Sequence, residues 1–299
     1  MKAIQFSRYG DPDVLELGEA SEPHPAAGQI RVRVKATSVN AIDWKIRSGL
    51  GGGPAPVEPV ILGFDAAGYV DEVGAGVSGV AVGDEVFGLA EHGHAEYAVL
   101  KAWTAKPPSV DWAVAAAAGV ATTTAVRVLD LLAVGAGSTV FVDGGAGGVG
   151  SAAVQIAVAR GAGVIASGGA RNDGYLREIG AVPVRYGEGV ADRVRAAAGA
   201  DTVDAVFDVA GKTPIEELLS LVDQPGQVLT IANFAAGGSG ARVSGGSEGD
   251  SFAALAEVAR LLADGRLVIQ VQTFPFDRGA EAHRLSQGGH VRGKLVLLP

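Results

Sequence analysis

Glycines crowd the stretch Asp143-Gly-Gly-Ala-Gly-Gly-Val-Gly-Ser151, and their spacing suits one particular chemistry. Gly145-x-Gly147-x-x-Gly150 satisfies G-x-G-x-x-G, and Gly144-x-x-Gly147-x-x-Gly150 gives an overlapping pattern. A loop without Cβ atoms lets backbone N–H groups and a helix N-terminus come close to a pyrophosphate. The chain has 45 glycines, so a spacing match alone carries little. Its setting carries more. The apolar run Ser138–Asp143 before it reads as a buried strand, and the Ala-rich run after it reads as a helix stopped by Gly161. In that context Gly144, Gly147, Gly148, Val149 and Gly150 form a dinucleotide cradle.

The end of the next strand selects the dinucleotide. About twenty residues after the glycines, an NAD binder places an acid for the ribose hydroxyls. Here the run is Val164-Ile-Ala-Ser-Gly-Gly-Ala-Arg171, with no carboxylate before Asp173. Ser167 and Arg171 are donors that suit a 2′-phosphate, which a carboxylate would repel. The expectation is NADP(H) rather than NAD(H), with Arg171 either on the phosphate or solvated at a helix start.

The elements that must hold these residues follow from periodicity. Residues 29–39 alternate Ile30, Val32, Val34 and Ala36 with Arg31, Arg33 and Lys35, as a half-buried strand does. Gly63–Leu89 sets Gly or Asp between Val-rich pieces, the pattern of a twisted barrel with tight corners. From about Asp111 the pattern changes. Helical text over Trp112–Leu132 leads into strands alternating with helices, ending in a fifth strand at residues 226–234. Near-continuous Val, Ile and Ala runs in those strands indicate a parallel sheet covered on both faces. A Gly/Ser loop, Gly237–Gly249, precedes a helix at Phe252–Asp264. Strands resume after Gly265, as though the tail returned to the first domain around an inserted second one. The cleft between the two is the expected ligand site.

Composition limits the alternatives. With 299 residues, 48% hydrophobic and 19% charged, the chain can bury a large core. A net charge of −9 argues against a nucleic-acid or anionic-membrane binder. No cysteine is present, which removes disulfides, thiolate catalysis and Cys-ligated zinc. Met1–Gly10 lacks a signal-peptide core, and Trp112–Val126 is too short and weakly apolar to span a bilayer. A soluble cytoplasmic protein is expected. His92 and His94 sit two apart without a third ligand and read as a turn, while His24, His283 and His290 have no partner at informative spacing. His290, Arg292 and Lys294 form a basic cluster that either meets a cofactor phosphate or is solvated.

Several motifs at fixed order carry a resemblance. Ser38–Leu50, Ile61–Val77, Val82–Gly88, Gly93–Val99, Asp143–Ala157, Val206–Gly211 and the ending Gly288–Pro299 together resemble the zinc-independent quinone oxidoreductase branch of the medium-chain dehydrogenase/reductase superfamily. The likeness runs nearly end to end. It implies an α/β fold: a GroES-like β-rich catalytic domain (1–115 and 266–299) with an inserted Rossmann domain, a doubly wound parallel sheet (116–265). Asn40 and Phe64 stand where zinc-dependent relatives carry Cys and His, so a metal-independent reaction is expected. The resemblance also places Tyr186 by the adenosine 2′-phosphate and adds Asn40 and Thr124 as site residues; Asn233, after the fifth strand, is either beside the nicotinamide or an ordinary polar loop residue. Lys45 stands where many relatives have Tyr and is either a proton or hydrogen-bond donor or a surface lysine. Asp43 reads as a helix cap or loop anchor.

Quinones and conjugated carbonyls accept hydride without a metal, because charge spreads onto a conjugated oxygen that a few donors can stabilise. The resulting expectation is an NADPH-dependent reductase of a quinone or enone in the interdomain cleft, with Asn40, Lys45 and Thr124 as donors. The alternatives are an enone or alkenal double-bond reductase and a low-turnover NADPH-binding sensor or structural protein. The family implies a homodimer. The loops Leu50–Pro59 and Ala235–Gly249 carry no decodable substrate chemistry.

Overall fold

In the strand Ile30–Val39, Ile30, Val32, Val34 and Ala36 are buried while Arg33 and Lys35 face water, as the alternation requires. This strand pairs antiparallel with Asp65–Val73 and with Tyr97–Ala105, and Glu85–Glu91 pairs with both of those, so four strands close on themselves. Register shifts between Arg31 and Val32, between Val34 and Ala36, and between Leu89 and Ala90 bend the strands enough for closure. Ile30, Val70, Val86, Ala98 and Leu100 fill the interior. The picture comes from a computed structural model that describes residues 1–50, 52–246 and 248–299. Gly51, in the Leu50–Pro59 loop, and Ser247, in the Ala235–Gly249 loop, lie outside the described residues.

The tail does return to this barrel. Lys294–Leu298 pairs antiparallel with residues 37–39 and parallel with Val271–Pro275. A second sheet joins Glu16–Glu19, Lys2–Phe6 and Val60–Ile61. Between them Ile4, Val39, Phe274, Leu295 and Leu297 make a smaller core. The chain divides into two units, Met1–Thr123 with Ser251–Pro299, and Thr124–Asp250. The sequence reading sets these boundaries at 115/116 and 265/266. The helix Ser251–Ala263 goes with the first unit because it lies along Tyr97–Ala105, where Phe252 meets Trp103 edge to face with ring centroids 5.2 Å apart.

The second unit is a six-stranded sheet in which every pairing is parallel. Its spatial order is Val182–Arg185, Gly163–Gly168, Thr139–Asp143, Ala205–Asp208, Val228–Thr230, Arg242–Val243. That is the doubly wound order of a Rossmann sheet, with its switch point between the first and fourth strands. Phe141, Ile165, Val206, Leu218 and Val228 pack on one face, and the helix Gly148–Ala159 covers Thr139–Asp143 and Gly163–Gly168. Two details differ from the sequence reading. Arg242–Val243 is a short sixth strand inside the Gly/Ser loop, because pairing with Leu229 and Thr230 satisfies backbone that composition assigns to coil. The helical text from Trp112 breaks at Ala118–Gly119 into Trp112–Ala117 and Val120–Leu131. No helix among the described residues is long and apolar enough to cross a membrane.

All three tryptophans, Trp44, Trp103 and Trp112, lie in the first unit, so their fluorescence reports its unfolding. Leu297 is fully buried and Leu298 is 39% exposed on the opposite side of the returning strand. Leu297→Ala should cost about 2–5 kcal/mol of that unit's stability in urea titrations followed by tryptophan emission. Leu298→Ala should stay within about 0.5 kcal/mol of wild type.

Candidate active site

The strand Thr139–Asp143 turns at Gly144, whose φ is +97°, and the chain enters the helix Gly148–Ala159 from Gly147. A Cβ on Gly150 would stand 2.1 Å from the carbonyl oxygen of Gly144, so the helix can sit this close to the loop only with glycine there. Gly147 is different. A Cβ on it would come no nearer than 3.7 Å to the rest of the protein, so its bare side faces open space. No side chain caps the helix, leaving its first N–H groups to an external acceptor. This is a cradle that fits a pyrophosphate and that a side chain at Gly147 would fill.

Two buried carboxylates, side by side in register at the carboxyl ends of the central strands, hold the loops around this cradle. Asp143 accepts from Thr213 Oγ1 at 2.7 Å and from Ser167 Oγ. Asp208 accepts from the N–H groups of Ala210 (3.1 Å) and Gly211 (2.7 Å) and from Thr230 Oγ1 (2.7 Å). Burial pushes the Asp208 carboxyl pKa up, and the neighbouring Asp143 adds to the rise. Asn233 lies just past the fifth strand, its N–H donating to Thr230 Oγ1 at 3.0 Å. Ser167 departs from its expected role. It is 1% exposed, donates to Asp143 and accepts from the Gly144 N–H at 2.8 Å, so its hydroxyl fastens the glycine loop instead of facing a phosphate.

Past the end of the second strand, Arg171 sits in an exposed single turn, Ala170–Asn172, that starts at Gly169. The exposed Tyr186 ring lies against the same turn, 3.5 Å from where a Gly169 Cβ would stand. Asp173, the first acid after that strand, is paired with Arg185.

In the first unit the polar centre is Asp65, fully buried at the start of its strand. It accepts from Asn40 Nδ2 at 2.8 Å, from the Val120 N–H at 2.5 Å and from Ser38 Oγ, and lies 3.6 Å from Lys294 Nζ. Lys294 donates in turn to Asn40 Oδ1. Burial lowers the pKa of Lys294, while Asp65 and Asp43 pull it back up. Lys294 is therefore no part of a solvated or phosphate-facing basic cluster: it is 5% exposed and turned inward. Asp43 is both cap and anchor, accepting from the N–H of Asn40 (2.6 Å) and of Gly63 (3.0 Å). Burial raises its pKa, and His94 opposes the rise.

Lys45 is half-buried with Nζ 5.9 Å above the Trp44 ring. Thr124 is buried on Val120–Leu131, where the preceding Thr122 and Thr123 bond to carbonyls of their own chain segment. His92 is a turn residue with φ of +56°. His94 is buried instead, its Nε2 3.2 Å from the Ser38 carbonyl and its ring 5.5 Å from that of His283. Burial holds His283 well below the usual histidine pKa. Sequence spacing could not find the His94–His283 pair or the Asp65–Lys294 pair, because each joins distant segments. Asp143 and Asp208, which end their strands one residue before a glycine or Val-Ala-Gly, were detectable only as strand-end acids.

Comparison with known proteins agrees with this arrangement. Residues 26–132 match the model of the alcohol dehydrogenase GroES-like domain, and residues 181–297 match that of the zinc-binding dehydrogenase. The quinone oxidoreductase of Lama guanicoe is 31% identical, over 100% of this chain and 97% of its own. The chloroplastic NADPH-dependent alkenal/one oxidoreductase of Arabidopsis thaliana is 30% identical, over 100% of this chain and 80% of its own. The structure of Escherichia coli quinone oxidoreductase complexed with NADPH superposes with a TM-score of 0.85 at 25% identity, covering all of both chains. Zinc, named in one family description, does not fit the residues present: there is no cysteine, and no three His, Asp or Glu converge among the described residues. A closed β-barrel unit completed by the chain's tail, a Rossmann sheet with its glycine cradle, and end-to-end similarity together place this chain in the quinone oxidoreductase branch of the medium-chain dehydrogenase/reductase superfamily.

Proposed function

We propose that this chain is an NADPH-dependent, metal-independent reductase that passes hydride to a quinone or related conjugated carbonyl. The observation that carries the cofactor choice is the end of the second Rossmann strand. There Arg171 lies in the turn that starts at Gly169, the Tyr186 ring packs against Gly169, and the first carboxylate, Asp173, is paired with Arg185. A 2′-phosphate would meet a cation and a phenol there. Gly144, Gly147, Gly148, Val149 and Gly150 would hold the pyrophosphate, and Asn233 would flank the nicotinamide. Bound NADPH would supply the hydride. Asn40 donates from Nδ2 to the oxygen of the acceptor as negative charge develops on it, with Lys45 and Thr124 as further donors. Similarity to an alkenal/one oxidoreductase favours a second reading, reduction of an enone or alkenal double bond, which the same donors would serve. The reading includes a cytoplasmic homodimer.

The cofactor assignment is tested by fluorescence titration with NADPH and NADH. Arg171→Ala should weaken NADPH binding by about 1.5–3 kcal/mol, roughly tenfold or more, and leave NADH unchanged. Equal binding of the two cofactors by wild type would overturn it. The two glycines should separate stability from binding. Gly147→Ala should keep the wild-type melting temperature and lose NADPH affinity, whereas Gly150→Ala should lose both, since its methyl meets backbone. With NADPH and 1,4-naphthoquinone, Asn40→Ala should lower kcat by about tenfold or more while NADPH affinity holds. An unchanged kcat would remove Asn40 from the reaction, and parallel assays with an enone separate the two substrate classes.

A further inference from the structure

An asparagine amide is a reliable hydrogen-bond donor only if something prevents it from rotating by half a turn, since its oxygen and nitrogen ends are nearly the same shape. Asn40 is held at both ends. Lys294 Nζ donates to its Oδ1, and the Asp65 carboxylate accepts from its Nδ2 at 2.8 Å. Reversing the amide would set NH2 against an ammonium and C=O against a carboxylate, so one orientation survives. Of the two Nδ2 hydrogens, Asp65 takes one, and no other acceptor among the described residues engages that nitrogen. Asn40 is 8% exposed, so the residue is not fully sealed from a ligand. A cation on the amide oxygen also draws electron density from the nitrogen and strengthens the N–H as a donor.

The holding pair is built into the fold. The returning strand sets Leu295 opposite Val39, and the antiparallel register carries Lys294 to Asn40. Asp65 is fixed independently by Ser38 Oγ and the Val120 N–H. Neither residue is on the surface, so neither is spent on solubility.

We propose that Lys294 and Asp65 are positioning residues that lock the Asn40 amide with one polarised N–H directed at the acceptor. The proposal rests on the reading of Asn40 as donor, and the test separates the two. Wild type, Lys294→Met, Lys294→Arg, Asn40→Ala and the Asn40→Ala/Lys294→Met double variant are compared with NADPH and 1,4-naphthoquinone. Lys294→Met should lower kcat by about tenfold with NADPH affinity intact, and Lys294→Arg should recover most of the loss. In the Asn40→Ala background the same Lys294→Met change should do almost nothing, because its effect passes through the amide. An equal fold-loss in both backgrounds would make Lys294 merely structural. Weakened NADPH binding would assign Lys294 to the cofactor, and either result overturns the proposal.

Should Lys294→Met fail to fold, Lys294→Met/Asp65→Asn removes both charges and replaces it in the cycle. Should Asn40→Ala keep wild-type kcat, the donor reading falls, and the lock is then judged by NMR. The 15N side-chain resonance of Asn40, identified by its loss in Asn40→Ala, should exchange slowly with water in wild type and fast in Lys294→Met. Identical exchange in the two proteins would overturn the lock.

Discussion

A carboxylate removed from water must be given donors, and Asp65 draws the first unit together by that need. Its partners come from separate parts of the chain: Ser38 and Asn40 at the end of one strand, Val120 at the start of a helix, Lys294 on the returning strand. Even its backbone oxygen is taken, by Thr37 Oγ1 at 2.7 Å. Removing Lys294 leaves the carboxylate uncompensated in the interior, where breaking a buried pair costs about 3–5 kcal/mol. The position of Asn40 is thus set by electrostatics as much as by packing.

The second unit applies the same logic. Asp143 and Asp208 stand at strand ends, where backbone N–H groups emerge into loops with no sheet partner left. A carboxylate there collects those donors and the nearby hydroxyls, and so shapes Gly144, Ala210 and Gly211 around the cradle. The glycine loop and the turn after the fourth strand are ordered from below by buried acids. Asp208 carries this as a cost of burial, offset by three hydrogen bonds.

What could be read in advance was whatever is local. Alternation in Ile30–Val39, the βα series and the glycine spacing each depend on neighbours within a few residues, and each has its counterpart in the structure. The tail's return was legible too, because strand text resumes after a helix. Side-chain destination was not legible where it depended on a distant segment. Ser167 has the right chemistry for a phosphate, yet it is buried and its hydroxyl is bonded to Asp143. Lys294, two residues from Arg292, reads as part of a basic cluster until strand pairing turns it inward. His94 and His283 are unremarkable singly and adjacent only in three dimensions.

The returning strand has a consequence for how the protein is made. Asn40 and Lys294 are separated by 254 residues, so a ribosome delivers the amide and its buried carboxylate long before their cation. Residues 124–250 are contiguous and can settle as soon as they emerge, whereas the first unit lacks its returning strand, and Asp65 lacks Lys294, until translation reaches residue 294. For most of its synthesis, then, the part of the chain that carries Asn40 lacks one strand and one buried charge of its final network.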